Sequence, residues 1–359
     1  MPWKITWRFR GLSVRKFSGP NLAPEQLVPQ WIAMIPRYIR FIRKYWFLSG
    51  LVAVCLLTLA DGSGVLASFG GWVKRHHGPD LVIMFIFLLS GAALRPDQMR
   101  SGMKDVTGIW LAAVNIFFVA PLVAVLFGLL PLDTGVLIGM FLVAVMPSTL
   151  SSGVVMTAAA GGNAAHALII TIVANSLAVF TIPYALSFLL MTIGEFSAVT
   201  IDKTAIMLKI AFLVVLPLSV GMMLKLFLST VYSRMGNKIS IVNQCLILFI
   251  VWIGVSQTRG MLVQSGMTVG LIVLVVFVYH GILLLSGWGL IRISRRGRGC
   301  RESILFMGGQ KTLPLSIILQ VSLFPQYGIA LLVCVLHHIV HLMMDGYIVE
   351  RLKADRSNR

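Results

Sequence analysis

Phe306-Met307-Gly308-Gly309-Gln310-Lys311-Thr312-Leu313-Pro314-Leu315-Ser316 places two glycines, an amide, an ammonium, a hydroxyl and a proline in the middle of an apolar run over 302–323. Proline removes a backbone donor and clashes with the preceding turn. A lysine at mid-bilayer depth costs about 2.5 to 3.5 kcal/mol on insertion scales. Such a stretch is tolerated inside a membrane only where it faces protein or a wet cavity. It therefore predicts an interrupted helix surrounded by others. Lys311 lies too deep in its run to reach the interface easily, unlike Lys209 near the start of another run.

A second interruption, Met146-Pro147-Ser148-Thr149-Leu150-Ser151-Ser152-Gly153, lies in the run 133–160. Here a proline is followed by four hydroxyls and a glycine. Freed carbonyls and hydroxyls suit a cation, and the N-terminus of the following half-helix suits an anion. A kinked packing helix with serines bonded back to the preceding turn is the bland alternative.

The rest of the chain supports a bundle around these two runs. Of 359 residues, 58% are hydrophobic and 12% charged, and the mean hydropathy is +0.91. That excludes a water-soluble enzyme and a protein with a single anchor. The apolar runs are continuous rather than alternating, which selects helices over a barrel. Ten spans are expected, over 45–61, 80–94, 107–129, 133–160, 163–190, 204–228, 239–258, 266–291, 302–323 and 326–349. Residues 1–44 read as a basic, proline-punctuated tail on the lipid surface, with Met34 an alternative start. Residues 350–359 read as a second tail.

The formal charge of +18 invites a nucleic-acid reading, but the basic residues sit in loops and tails. That pattern belongs to membrane topology, and no nucleic-acid partner is expected. With the N-terminus inside, the outside loops carry only Lys74, Arg75, Lys203 and Arg259; Lys209 and Lys311 lie within spans, and all other Lys and Arg fall inside. Both termini are thus expected in the cytoplasm, with the chain in the cell (inner) membrane. The block Arg292, Arg295, Arg296, Arg298 and Arg301 reads as an orientation lock with anionic lipid contact. Cys55, Cys245, Cys300 and Cys334 show no disulfide or zinc spacing.

Spans one and six start near 45 and 204, and the same spacing separates 80 from 239 and 107 from 266. The interrupted spans are the fourth of each half. Five helices per half inverts the second copy, giving a first repeat over 45–190 and a second over 204–349. Inverted repeats with interrupted helices are the architecture of secondary transporters.

Asn115, Thr171, Asn175 and Asn243 lie within spans, where they line the same cavity or bond neighbouring helices. His337, His341 and Asp345 recur at four-residue spacing, with His338 beside them. A pair of these suits zinc or a proton, but three ligands on one helix reach a single ion poorly. His166 and His280 read as satisfied core histidines. No metal site is assigned. No pair of intramembrane aspartates and no supported Ser–His dyad is found, so no enzyme is expected.

The two interrupted helices resemble those of the bile acid–sodium symporter family, in its SBF-like branch. The resemblance covers roughly 45–349. It is carried by Pro147-Ser148-Thr149-Leu150-Ser151-Ser152, by Gly162-Asn163, and by Phe306-Met307-Gly308-Gly309-Gln310-Lys311. It implies an all-α membrane protein of ten transmembrane helices in two inverted five-helix repeats. Broken helices four and nine would cross in a core domain, and spans one, two, six and seven would form a panel. In sodium-coupled relatives helix nine bears Glu-x-Gly-x-Gln-Asn. Here Gln310 matches the glutamine, while Phe306 stands for the glutamate and Lys311 for the asparagine. The carboxylate that best holds sodium is lost, and a fixed ammonium repels the ion.

The expectation is a secondary transporter of an organic anion. Its coupling ion is sodium or a proton, with Lys311 standing in for a sodium ion, carrying a proton or pairing with the anion. No cofactor is expected. The expected substrate- and ion-binding residues are Asn115, Ser148, Thr149, Ser151, Ser152, Asn163, Thr171, Asn175, Gln310, Lys311, Thr312 and Ser316. The alternative is a regulatory membrane protein that influences ion homeostasis without large flux.

Overall fold

A computed structural model describes residues 46–93, 102–193, 202–227, 237–264 and 268–357. The N-terminal tail, most of the basic loops after Ala93 and Phe227, and the loops around 194–201 and 265–267 fall outside these residues, whereas the expected C-terminal tail 350–359 is corrected: through Ser357 it continues the last helix. The readings of the tail, of both termini and of the Met34 start lie there too.

Among the described residues every regular element is helical. In chain order they are α1 (Trp46–Ala60), α2 (Val65–Arg75), α3 (Gly78–Ala93), α4 (Val106–Gly128), α5 (Thr134–Val145), α6 (Ser152–Ala159) and α7 (Ala164–Met191). There follow α8 (Lys203–Ile210, continued through Ala211–Val215 and Leu216–Phe227), α9 (Asn237–Gln264), α10 (Thr268–Ile293), α11 (Cys300–Gly309), α12 (Leu313–Leu323) and α13 (Gly328–Ser357).

Seven segments are long and apolar enough to cross a membrane: Val106–Gly128, Ala164–Met191, Lys203–Lys225, Lys238–Gly260, Val269–Ile293, Cys300–Leu323 and Gly328–Ala354. The α1–α2 pair, bent by 109°, makes an eighth if taken as one span. This is fewer than the ten expected, for a physical reason. The first expected span is a 15-residue helix and the second a 16-residue helix, both short of a bilayer. The fourth is split, leaving the 12-residue α5 on one side of the break and the 8-residue α6 on the other.

The stretch after Ala60, read as an outside loop, is corrected. It holds α2, whose Val65, Leu66, Phe69, Trp72 and Val73 recur at helical spacing. A Cβ on Gly70 would lie 2.5 Å from Ser256 Cβ, so α2 lies tight against α9.

The helix starts follow from short polar side chains. Asp105, Asp133, Asn163 and Asp202 accept N–H groups of Gly108, Gly135, Ala165 with His166, and Ala205. The two broken segments occupy the centre. Every residue from Gly135 to Val145 of α5 is buried, as is 94% of the apolar window in Cys300–Leu323, against 39% for α4. At the periphery, α3 and α8 cross almost backbone to backbone. A Cβ on Gly91 would lie 2.1 Å from the Leu218 oxygen, and one on Gly221 2.0 Å from the Leu88 oxygen.

Candidate functional site

The expected interruptions are both present. α5 ends at Val145, residues 146–151 run without helix, and α6 starts at Ser152. α11 ends at Gly309, Gln310–Thr312 run without helix, and α12 starts at Leu313. The two breaks meet. The Thr312 N–H donates to the Pro147 oxygen at 2.9 Å, and Ser148 Oγ lies 3.9 Å from Met307 Sδ.

Gln310 is held from both ends. Its Oε1 accepts from Thr149 Oγ1 at 2.8 Å and Ser152 Oγ at 3.0 Å. Its Nε2 donates to Asp345 Oδ2 at 2.7 Å and to Met156 Sδ at 3.2 Å. Thr149 Oγ1 also accepts the Gly153 N–H. The first break is braced from α7: Thr171 donates to the Thr149 carbonyl, and Asn175 to the Ser148 carbonyl.

Lys311 is 2% exposed, and all three of its ammonium protons are used. Nζ donates to the carbonyls of Ile116, Ala144 and Met146, each at 3.0 Å. Ala144 and Met146 belong to the C-terminal end of α5, where the helix dipole favours a cation. The Ile116 carbonyl is free for a reason legible in α4. Asn115–Val119 form a π turn in which the Ala120 N–H goes to the Asn115 oxygen. The next residue, Pro121, has no N–H to give. With both backbone donors gone, the ammonium fills the place. α8 repeats the device at Ala211–Val215, where Leu216 bonds Ala211 and Pro217 follows.

A pocket beside the crossover is lined by Thr149, Leu150, Ser151 and Ser152 from the first break, and by Thr312, Leu313 and Pro314 from the second. Ser90 and Asn243, themselves hydrogen-bonded, add polar lining. Phe47, Phe87, Ile86 and Ile247 form apolar walls, and His338 closes one side. The starts of α6 and α12 both border this space, an arrangement that favours negative charge.

Of the twelve expected site residues, Thr149, Ser151, Ser152 and Thr312 line the pocket; Ser148, Gln310, Thr171 and Asn175 form or brace the breaks beside it, and the other four are engaged elsewhere. Asn163 caps α7, and its own N–H donates to the Gly299 oxygen. Ser316 Oγ returns to the Leu313 carbonyl. Asn115 donates to the Leu283 carbonyl and accepts from Ser286. Lys311 turns away from the pocket into the carbonyls, so its pairing with an anion there is corrected. Residues without a side-chain signal also matter: Ile116 acts through its backbone alone. Asp345 carried a spacing signal and His338 stood beside that series, but nothing in the sequence placed either at the break.

His166 is the satisfied core histidine expected, with Nδ1 at 2.6 Å from Ser303 Oγ and Nε2 at 3.1 Å from the Asp105 carbonyl. His280 pairs with Asp345 at one nitrogen only. Asp105, His166 and Cys300 place ligand atoms within 4.8 Å of one another. The set is already saturated, because Asp105 Oδ1 takes the Gly108 N–H and the Arg296 guanidinium at 2.7 Å. Burial pushes the Asp105 carboxyl up, but the Gly108 N–H, the Cys300 thiol and Arg296 together hold it below its ordinary value. This cluster ties the starts of α4, α7 and α11 together.

Two broken helices crossing in an apolar bundle, with their half-helix ends around one pocket, define a multi-pass membrane transporter rather than an enzyme. Residues 45–354 match the SBF-like CPA transporter family, and the chain belongs to it. It is similar to the probable sodium/metabolite cotransporter BASS4, chloroplastic, of Arabidopsis thaliana, 27% identical over 74% of this chain and 63% of that protein. The sodium/bile acid cotransporter 7 of Xenopus tropicalis is 22% identical over 87% of this chain and 93% of its own length. The chain thus spans less than two thirds of the Arabidopsis relative.

Proposed function

We propose that the chain is a secondary transporter that moves an organic anion by alternating access. It would comprise two inverted five-helix repeats, 45–190 and 204–349, in the cell (inner) membrane, with the segments 1–44 and 350–359 cytoplasmic. The observation that carries the substrate reading is the pocket bordered by the starts of both α6 and α12, with apolar walls from α1, α3 and α9. Such a site suits a carboxylate or sulfonate with an apolar body.

Lys311 takes the place of a sodium ion in this reading. Three carbonyls at 3.0 Å around one ammonium form the kind of oxygen cage a cation would occupy. The relatives' names include sodium as the coupling ion, and a proton is the other candidate here.

The test is uptake of labelled organic anions, a bile acid and short carboxylates first, into liposomes containing the full chain. Uptake should depend on a sodium or proton gradient and fall when Ser152 is replaced by a bulky apolar residue. Absence of both anion uptake and anion-induced thermal stabilisation across the panel would overturn the transporter reading in favour of a regulatory membrane protein.

A further inference from the structure

Four buried histidines and one buried carboxylate lie together behind the crossover. His337, His338 and His341 come from α13 and His280 from α10; none is more than 5% exposed, and Asp345 is 0% exposed. Ring centroids of His338 and His341 are 4.5 Å apart, those of His337 and His341 5.3 Å, and His280 lies 5.6 Å from each of His337 and His341. His280 Nε2 is 3.1 Å from Asp345 Oδ1, while the other Asp345 oxygen receives Gln310 Nε2. At the opposite end His338 hydrogen-bonds the Lys311 backbone and lines the crossover pocket.

Five ring nitrogens in this cluster have no hydrogen-bond partner: His280 Nδ1, His337 Nε2, His338 Nδ1 and both nitrogens of His341. Buried polar atoms are nearly always paired, so a group of five marks a site that something else fills. A metal ion is the poorer occupant. Among the described residues, the ligand atoms that converge are those of Asp105, His166 and Cys300, not these. A proton needs no convergence onto one point. It needs a contiguous series of groups that can each take and release it.

We infer that His280, His337, His341 and Asp345 form a buried proton-binding site, which His338 connects to the crossover pocket. The proton arrives on His338, passes to His341 and comes to rest on the unpartnered His280 Nδ1, leaving an imidazolium whose Nε2–H faces Asp345. No bond other than N–H and O–H is made or broken. The added charge reduces the hold of the Asp345 carboxylate on Gln310 Nε2, so occupancy is transmitted to the residue that Thr149 and Ser152 grip.

Among the described residues, few other charges face the site. Lys311 does so from the second break and Tyr279 from α10, its hydroxyl donating to the Ala120 carbonyl. α5, α6 and α12 contain no titratable side chain. On the described part of α9, Lys238 and Cys245 are exposed and Arg259 is turned to the Thr58 carbonyl. Arg301 and Glu302 pair with each other near the start of α11.

The inference rests on the transporter reading only for its purpose, since proton binding is measured without substrate. The chain has 7 histidines, few enough to resolve by nitrogen-15 NMR of histidine-labelled full chain in nanodiscs between about pH 5 and 8. Exposed His76 and His77 serve as solvent-facing controls, and an intact His166 signal reports folding. Rings of the cluster should change protonation within this range. Asp345→Asn should abolish that change, and His338→Phe should keep its end points while slowing proton exchange. Buried rings that all stay neutral across this range would overturn the inference, as would titration unaltered in Asp345→Asn. Unchanged exchange in His338→Phe would overturn the connection to the pocket. Failure of anion uptake with a positive titration would reject the transporter reading and leave the proton site standing.

Discussion

Met146 and Gln310 leave their helices with the same backbone angles, φ −70° and ψ 143° at one, φ −71° and ψ 143° at the other. Their causes differ. Met146 precedes a proline, which drives it out of the helical region. Gln310 has no proline after it; its side chain, gripped by Thr149, Ser152 and Asp345, accompanies the extended geometry instead. The first break is thus written in the backbone and the second in side-chain bonds, and substitutions should affect them differently.

Lys311→Ala removes the ammonium donor from three buried carbonyls, those of Ile116, Ala144 and Met146. Each orphaned polar group costs about 1–3 kcal/mol, so thermal unfolding in detergent should shift down by many degrees. The vacated cage should then accept sodium, so that sodium at fixed ionic strength stabilises the variant more than potassium does. The wild type should not distinguish the two ions. A sodium-specific rise in the wild type would reject Lys311 as the ion's replacement.

Pro121→Ala supplies an N–H one residue beyond the π turn. In the wild-type background it should be neutral or mildly destabilising, because the Ile116 carbonyl already has its donor. In the Lys311→Ala background it should restore stability, since that carbonyl is then orphaned. A double-mutant cycle should give a coupling of about 0.5–3 kcal/mol. Strict additivity would show that the π turn and the lysine are independent.

Thr149→Val deletes both the bond to Gln310 and the acceptor of the Gly153 N–H. A loss of about 1–3 kcal/mol is expected from thermal unfolding, with Thr149→Ser largely restored. Equal loss in both variants would point to packing of the threonine methyl rather than to its hydroxyl.

Gly91→Ala and Gly221→Ala each push a methyl into a facing carbonyl. The crossing of α3 and α8 must then widen, at about 1–3 kcal/mol for each. The double variant should cost less than the sum, because one separation relieves both clashes. Thermal unfolding of the three variants reads this directly.

Asp105 gives a signed pH dependence. Its folded-state value lies below the ordinary one, so its contribution is complete above about pH 4 and is lost as pH falls through the folded value. Asp105→Asn should keep the helix cap yet lose this acid sensitivity. Asp105→Ala should also lose the cap, a further ~1 kcal/mol. Acid unfolding that runs in parallel for wild type and Asp105→Asn would assign the sensitivity elsewhere.

Much of this was legible in the residues because the membrane makes polar groups costly. Pro147, Gln310 and Lys311 could not be placed in an apolar run without a break, and both breaks lie where they predict. Thr171 and Asn175 likewise had to find partners, and they brace the first break. Asn163 misled because one residue type serves both as cap and as ligand. Helix α2 was hidden by Lys74 and Arg75, which read as loop charges although its apolar face was periodic. The role of Ile116 leaves no trace at residue 116 itself. Its signal is Pro121, whose effect appears only once the helix is built. Asp345 could be flagged but not placed, since its contact with Gln310 spans separate helices.

The ammonium of Lys311 is attached to the chain by covalent bonds, and that changes what kind of device the crossover is. A freely exchanging ion occupies its cage according to its concentration, so a site of that kind reads the salinity on either side of the bilayer. A tethered cation has an occupancy that does not vary with the surrounding salt. On the proposed reading, this chain has given up a sensor at that position and kept a rivet. The three segments joined there, the π turn of α4, the end of α5 and the start of α12, are bound to travel as one piece in any motion that leaves the rivet intact.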